Sequence, residues 1–161
     1  MAHSKRMPKR RPHRGSCLPY LSLLAWVCIF VAGSATIVPS STSTGIGATL
    51  QLCERPRQHN CVLDGDTIRF DGSTIRIEDI DAPETVEPKC ASEMGLGRRA
   101  THRLLELVNA GPFEVVYGGG RDTDVYGRKL RRIERHGRSL GDALVAEGLA
   151  RPWDGAKHSW C

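Results

Sequence analysis

The sequence of 161 residues has almost no net charge once its first fifteen residues are set aside. Those fifteen hold six of the 23 basic residues and no acidic one, so 17 basic residues remain against 18 acidic ones. A protein that coats nucleic acid needs a basic surface, and the bulk charge of the remaining chain does not supply one. Any nucleic-acid site must therefore come from a local arrangement of charges.

The chain also lacks any charged residue from Gly15 to Cys53. The apolar part of this stretch is about 20 residues long, which is enough to cross a bilayer as a helix, and a basic flank precedes it. It suits an uncleaved anchor and a cleaved signal peptide equally. Both alternatives predict a domain outside the cytoplasm, either membrane-anchored or secreted after cleavage. The predicted regions are a basic tail (1–16), an anchor or signal peptide (17–38), a flexible linker (39–49) and a folded domain (50–161).

Two common ligand-binding motifs are missing from the folded domain. The run Gly118-Gly119-Gly120 is not followed by Gly-Lys-Ser/Thr, so it is not a phosphate-binding loop of that type. No Cys-x-x-Cys pair is present, which makes a zinc site the weaker alternative for the cysteines. An even number of cysteines in an exported domain favours two disulfides, with three pairings open. These cysteines are Cys53, Cys61, Cys90 and Cys161.

Hydrophobic periodicity predicts a mainly β domain with two helices. Helical spacing of apolar residues predicts helices over 91–109 and 139–149, with Ser139 as the N-cap of the second. The order is three strands, a helix, two strands and a helix, which favours a small closed antiparallel barrel with packed helices. Alternating patterns predict the strands near 61–63, 67–70, 73–80, 113–117 and 130–135.

Several charged residues suit phosphodiester chemistry, although each has an ordinary explanation as a turn, loop or solvated strand residue. Asp66 and Asp81 offer the carboxylates that hard cations such as Ca²⁺ prefer. Glu84 follows Asp81 after a proline and suits a general base that takes a proton from water. Arg76 and Arg128 can bind a phosphate bidentately and offset negative charge that builds on its oxygens.

The motifs that carry these residues resemble the staphylococcal nuclease family in order and spacing, over roughly residues 62–152. The resemblance implies a five-stranded OB-fold barrel with packed α-helices, an α+β fold. It also implies calcium-dependent hydrolysis of phosphodiester bonds in DNA and/or RNA, and we expect a monomer. The matching segments are Asp64-Gly65-Asp66-Thr67, Ile75-Arg76-Ile77, Ile80-Asp81-Ala82-Pro83-Glu84-Thr85, Asp122-Thr123-Asp124-Val125-Tyr126-Gly127-Arg128 and the helix around 143–150.

The resemblance assigns the functional roles of the family to individual residues of this sequence. The resemblance implies that Asp66 and Asp81 bind calcium and that Glu84 is the general base or orients the attacking water. It implies that Arg76 and Arg128 bind the phosphate and stabilise the transition state. Tyr126 would then lie beside the substrate phosphate.

The chain departs from the family pattern at a few positions. Ala82 replaces a frequent threonine, at a position that is thought to contribute its backbone carbonyl to the metal. Glu78 and Asp79 add negative charge before Asp81. We expect Trp153 to cap the core, with stacking on a base as the alternative. A basic cluster predicts either a solvated surface or a phosphate-tracking groove; it consists of Arg128, Lys129, Arg131, Arg132, Arg135 and Arg138.

Two other functions remain open from the sequence. One is a non-catalytic nucleic-acid-binding OB barrel anchored at the membrane, because such barrels often only bind. The other is a structural envelope protein. Since all five charged positions of the family site are present, the nuclease is the favoured hypothesis.

Overall fold

In a computed structural model, the structure describes residues 45–161. The predicted basic tail and the anchor or signal peptide lie outside this range. Among residues 45–161, no helix is both long and apolar enough to span a membrane. Ile46, within the predicted linker, pairs with Phe113 through backbone hydrogen bonds of 2.7 and 3.3 Å.

The described region contains nine short strands and two helices. The elements in chain order are β1 (Gln51–Leu52), β2 (Cys61–Asp64), β3 (Thr67–Phe70), β4 (Ser73–Ile77), β5 (Ile80–Asp81), α1 (Ala91–Asn109), β6 (Glu114–Val116), β7 (Lys129–Arg135), β8 (Arg138–Ser139), α2 (Leu140–Ala146) and β9 (Arg151–Pro152).

The strands form one mixed sheet in the order β1-β2-β3-β4-β7-β6, with β8 on β7, and a separate pair of β5 with β9. β4 pairs with β7 in parallel, as β1 does with β2. The α+β class is therefore confirmed, whereas the predicted closed antiparallel barrel is wrong. The edge strands β1 and β6 are only two and three residues long. Beside β1, the backbone of Leu50 bonds to the side-chain amide of Asn109 on α1 (2.9 and 3.0 Å) rather than to another strand.

The two helices cover the sheet through apolar stripes. α1 has the predicted bounds and buries Ala100, Leu104 and Val108 at helical spacing. α2 begins as predicted, because the Ser139 hydroxyl accepts a hydrogen bond from the backbone N–H of Gly141 at 3.0 Å. α2 ends at Ala146, before the predicted 149, and Gly148 follows in the left-handed region with φ of 70°.

The core lies between the sheet and the helices. The largest fully buried side chains include Ile68, Ile77, Leu104, Phe113, Ile133 and Leu144, from β3, β4, α1, the segment before β6, β7 and α2. The prediction of two disulfides is confirmed, and the pairs are Cys53–Cys61 and Cys90–Cys161. The second bond ties the residue before α1 to the segment that follows β9.

Candidate active site

Three buried charged side chains meet where β3, β4 and β5 come together. Arg76 on β4 forms an ion pair with Asp66, which directly precedes β3, and its second terminal nitrogen lies 3.5 Å from Asp81 Oδ1. β3 and β4 are antiparallel with Thr67 opposite Arg76, which explains the closeness of Asp66. The structure thus brings together three predicted site residues.

Asp66 is fixed by a close approach of the β2–β3 turn to α1. A Cβ on Gly65 would lie 2.6 Å from the Cβ of Ala100 and 2.9 Å from that of Ala82, so only glycine fits. Asp66 Oδ2 then accepts a hydrogen bond from the backbone N–H of Ala82 at 3.1 Å, and Oδ1 accepts one from the Thr67 hydroxyl at 2.9 Å. This hydrogen bond uses the backbone N–H of residue 82. It therefore does not require the threonine side chain that is frequent at this position in the family.

Glu84 lies on the loop between β5 and α1. This loop packs directly on the helix at Gly97, where a Cβ would lie 2.7 Å from the carbonyl oxygen of Pro83 and 2.9 Å from that of Glu84. The Glu84 side chain is half-exposed and forms an ion pair with Lys157. The close packing against α1 therefore fixes the position of the loop backbone, while the Glu84 carboxylate remains accessible.

Arg128 is oriented by a turn that begins at Asp124. The Asp124 carboxylate accepts hydrogen bonds from Arg128 Nε at 2.6 Å and from the backbone N–H groups of Arg128 and Tyr126, both at 2.9 Å. Burial alone would raise the pKa of Asp124, but these hydrogen bonds outweigh it and hold the pKa below its ordinary value. Arg128 Nη1 lies 3.4 Å from the Thr67 hydroxyl, which also contacts Asp66. Thr67 therefore connects the two arginine sites.

Burial and the charge of Asp66 raise the pKa values of two neighbouring carboxylates, Asp64 and Asp81. Burial, followed by the charge of Asp66, raises the pKa of Asp64 to about 7. Burial also raises the pKa of Asp81, against the hydrogen bond from Trp160, and the charge of Asp66 adds to the increase. The cluster is thus rich in carboxylate oxygens and short of positive charge.

A surface cleft of about 330 Å³ runs beside the cluster, and Arg76 and Arg128 both line it. Tyr126 is 81% exposed at this cleft, and its ring centre lies 5.4 Å from the guanidinium of Arg128. Glu84 lies instead in a neighbouring depression with Asp81. Lys157 lines both hollows and so joins them.

Trp153 does not cap the core. It is 40% exposed, lines the cleft and has its ring centre 5.8 Å from the guanidinium of Arg76. Glu78, one of the extra acidic residues, lines the same cleft.

Most of the basic cluster makes internal contacts. Arg131 pairs with Asp122, and Arg132 pairs with Glu134. Arg135 donates hydrogen bonds of 2.6 to 3.0 Å to the carbonyl groups of Leu107, Gly111 and Pro112, which close the end of α1. Of the six basic residues, Arg128 lines the cleft with Arg76.

The structure adds three residues that the sequence reasoning missed as parts of the site. Asp124 has a local signal, because it lies four residues before Arg128 in the turn that carries this arginine. Lys157 and Trp160 have none, because they contact Glu84 and Asp81 across 73 and 79 residues of chain.

Comparisons with known proteins agree with the motifs. The profile of the staphylococcal nuclease homologue family matches residues 74–158, more than half of the chain. Two similar proteins come from Bacillus subtilis (strain 168): SPbeta prophage-derived endonuclease YokF, 39% identical over 93 residues, and endonuclease YncB, 38% identical over 93 residues. The alignments cover 55% of this chain but only 31% of YokF and 44% of YncB, so the chain spans less than half of either relative. The family resemblance predicted from the motifs is confirmed, and the chain belongs to the staphylococcal nuclease homologue family.

Proposed function

We propose that this domain is a nuclease that hydrolyses phosphodiester bonds in DNA or RNA with calcium as its cofactor, outside the cytoplasm. One observation carries the proposal: the buried cluster of Asp66, Arg76 and Asp81 borders a cleft that Arg128 also lines. The family and its endonuclease relatives support the same reaction class.

The donor set fits a hard divalent cation. Asp66 and Asp81 offer carboxylate oxygens at one place, where both lie next to the Arg76 guanidinium. Calcium takes about six to eight oxygen ligands, so two carboxylates leave positions for water and for a phosphate oxygen. A bound calcium ion supplies Lewis-acid polarisation of the phosphate and lowers the pKa of bound water.

The arginines bind and neutralise the phosphodiester. A guanidinium matches two phosphate oxygens with parallel N–H donors, and its charge offsets the negative charge that develops on them. Asp124 holds the Nε of Arg128 and the Thr67 hydroxyl lies 3.4 Å from its Nη1, so the guanidinium that lines the cleft has a fixed orientation. Tyr126 packs against this guanidinium and presents its exposed hydroxyl beside the phosphate.

Glu84 is the general base of the proposed reaction. Its half-exposed carboxylate accepts the proton of the attacking water while the water oxygen bonds to phosphorus and the ester P–O bond breaks; the leaving oxygen takes a proton from solvent. Its ion pair with Lys157 is at the surface, where such pairs are weak, so the carboxylate can exchange this partner for water.

Two features support the proposed location outside the cytoplasm. The apolar stretch at 17–38 is preceded by basic residues, and the domain carries two disulfides, which persist in oxidising compartments. Protease added to intact cells should degrade a membrane-anchored domain, or the domain should be recovered in the medium or periplasm. A domain that is protected and found in the cytoplasmic fraction would contradict this location.

The activity is tested with purified, oxidised protein on single-stranded DNA, duplex DNA and RNA, each with calcium or with a chelator. Cleavage that requires calcium is the expected result. Cleavage that persists in chelator would contradict the cofactor. Folded protein that binds these substrates and leaves them intact would contradict the nuclease and favour the non-catalytic binding module.

A further inference from the structure

Residues 154–161, which we call the strap, lie against the candidate active site. The strap follows β9 and forms no helix or strand. Its Lys157 ammonium pairs with Glu84, and the indole N–H of Trp160 donates a hydrogen bond to Asp81 Oδ2 at 3.3 Å. Two residues with predicted roles, the general base and a metal carboxylate, thus have partners on the strap.

Lys157 is the residue of the strap that lines the proposed substrate-binding cleft. It lines both the cleft of Arg76 and Arg128 and the depression that holds Glu84. Its side chain is more than half exposed, so the ammonium can meet a phosphate oxygen that enters the cleft. Lys157 is therefore a further cation of this cleft, beside Arg76, Arg121 and Arg128.

A few polar contacts and one covalent bond hold the strap in place. All of its residues are exposed except Trp160, so apolar burial contributes little. Arg151 donates a hydrogen bond to the carbonyl of Ser159 at 3.0 Å, and its guanidinium lies 3.7 Å from the ring centre of Trp160. The disulfide between Cys90 and Cys161 fastens the far side of the strap to the start of α1.

We propose that Lys157 positions Glu84 and then contacts the substrate phosphate, that Trp160 positions Asp81, and that the Cys90–Cys161 disulfide holds both residues there, so that activity depends on this bond. The inference rests on the proposed function. Trp160 fixes one oxygen of Asp81, and Lys157 holds the Glu84 side chain at the rim of the cleft until a phosphate arrives. A dithiol reductant converts the disulfide into two cysteine thiols and is itself oxidised to a disulfide, which releases the strap.

The first test removes the Cys90–Cys161 disulfide from the full chain. The Cys90→Ala/Cys161→Ala variant should keep its circular dichroism spectrum and lose about tenfold to a hundredfold in kcat/KM, because misplaced catalytic groups cost about this much. Dithiothreitol should then have no further effect on this variant. The Cys53→Ala/Cys61→Ala variant removes the other disulfide and should stay active and remain sensitive to dithiothreitol.

The second test changes Lys157 of the strap and leaves the Cys90–Cys161 disulfide intact. Lys157→Gln should lower kcat and raise KM, and it should reduce the slope of log KM against log salt by about one, because one phosphate contact is lost. Lys157→Arg keeps the charge and should restore most of the activity. A merely structural role for Lys157 would leave the salt slope unchanged.

The outcomes separate this inference from the proposed function. Calcium-dependent cleavage by the wild type together with unchanged kcat and KM in Cys90→Ala/Cys161→Ala and in Lys157→Gln would overturn the positioning role alone. Folded, oxidised wild type without any cleavage would overturn the proposed function and the strap's role with it.

Discussion

Arg76 and Asp66 form a buried ion pair between neighbouring strands, and a second carboxylate, that of Asp81, lies 3.5 Å from the same guanidinium. The local balance is two negative side chains against one positive one. Removal of the arginine would leave both carboxylates buried without a cation, which is far more costly than breaking a surface pair.

Replacement of Arg76 by methionine should therefore lower stability strongly. In chelator we expect the free energy of unfolding to fall by about 3–5 kcal/mol, and calcium should restore part of this loss by binding the folded protein. Urea denaturation with chelator or with calcium measures both effects. Arg69→Met is the control, since Arg69 on the adjacent strand β3 donates to a backbone carbonyl group at 3.3 Å. Equal stability of Arg76→Met and wild type in chelator would contradict the account.

Asp124 should matter for activity through Arg128. Asp124→Asn keeps the size of the side chain but loses the charge that holds Arg128 Nε, so kcat/KM should fall about tenfold to a hundredfold. Steady-state kinetics on a nucleic-acid substrate give the comparison. Asp122→Asn is the matched control, because Asp122 is exposed and pairs with Arg131 rather than Arg128. A similar decrease in both variants would contradict a specific role for Asp124.

The same carboxylate predicts a pH dependence of stability. The pKa of Asp124 is lower in the folded protein than in the unfolded chain, so its contribution is complete above the unfolded pKa of about 4 and is lost as the pH falls through the folded value. Asp124→Asn should therefore have a lower Tm than the wild type at neutral pH, and this difference should shrink in strong acid. A difference in Tm that stays constant from neutral pH to strong acid would rule out this linkage.

Two glycines on α1 should respond in opposite ways to alanine. Gly97→Ala pushes on the carbonyl oxygens of Pro83 and Glu84, so we expect a loss of about 1–3 kcal/mol and a lower kcat. Gly95 has no neighbour within 4 Å of an added Cβ, and Gly95→Ala should stabilise the helix by about 0.5–1 kcal/mol. Thermal denaturation and kinetics of both variants test this contrast. Lower activity in both would point to the helix as a whole rather than to the loop.

Local patterns predicted the elements that are long or well terminated. The bounds of α1 agree with the prediction, because its apolar stripe spans several turns before Gly111 and Pro112 follow. The four strands of two residues are too short to show any period, so β5 and β9 were not foreseen as a pair. The open sheet depends on the parallel pairing of β4 with β7, which sets Ile75 opposite Lys129, far along the chain. Such pairing leaves no local signal.

The candidate site likewise contains residues that the sequence motifs predicted and residues that they did not predict. Asp66, Arg76 and Asp81 lie within short motifs whose resemblance to the family implied a common site, and the structure brings the three side chains together. Lys157 and Trp160 lie close to Cys161, which bonds to Cys90, and the sequence left three pairings open. Long-range bonds of this kind are visible only in the folded chain.

We propose above that Glu84 is the base of a calcium-dependent phosphodiesterase site. The most direct measurement compares the cleavage rates of wild type, Glu84→Gln and Glu87→Gln on the same DNA and RNA in calcium. Glu87 lies three residues further along the loop and is exposed, so its variant controls for a general loss of negative charge. We expect that Glu84→Gln lowers kcat about a hundredfold to ten-thousandfold, with an unchanged circular dichroism spectrum, while Glu87→Gln cleaves like the wild type. Equal rates for all three proteins would contradict the proposal.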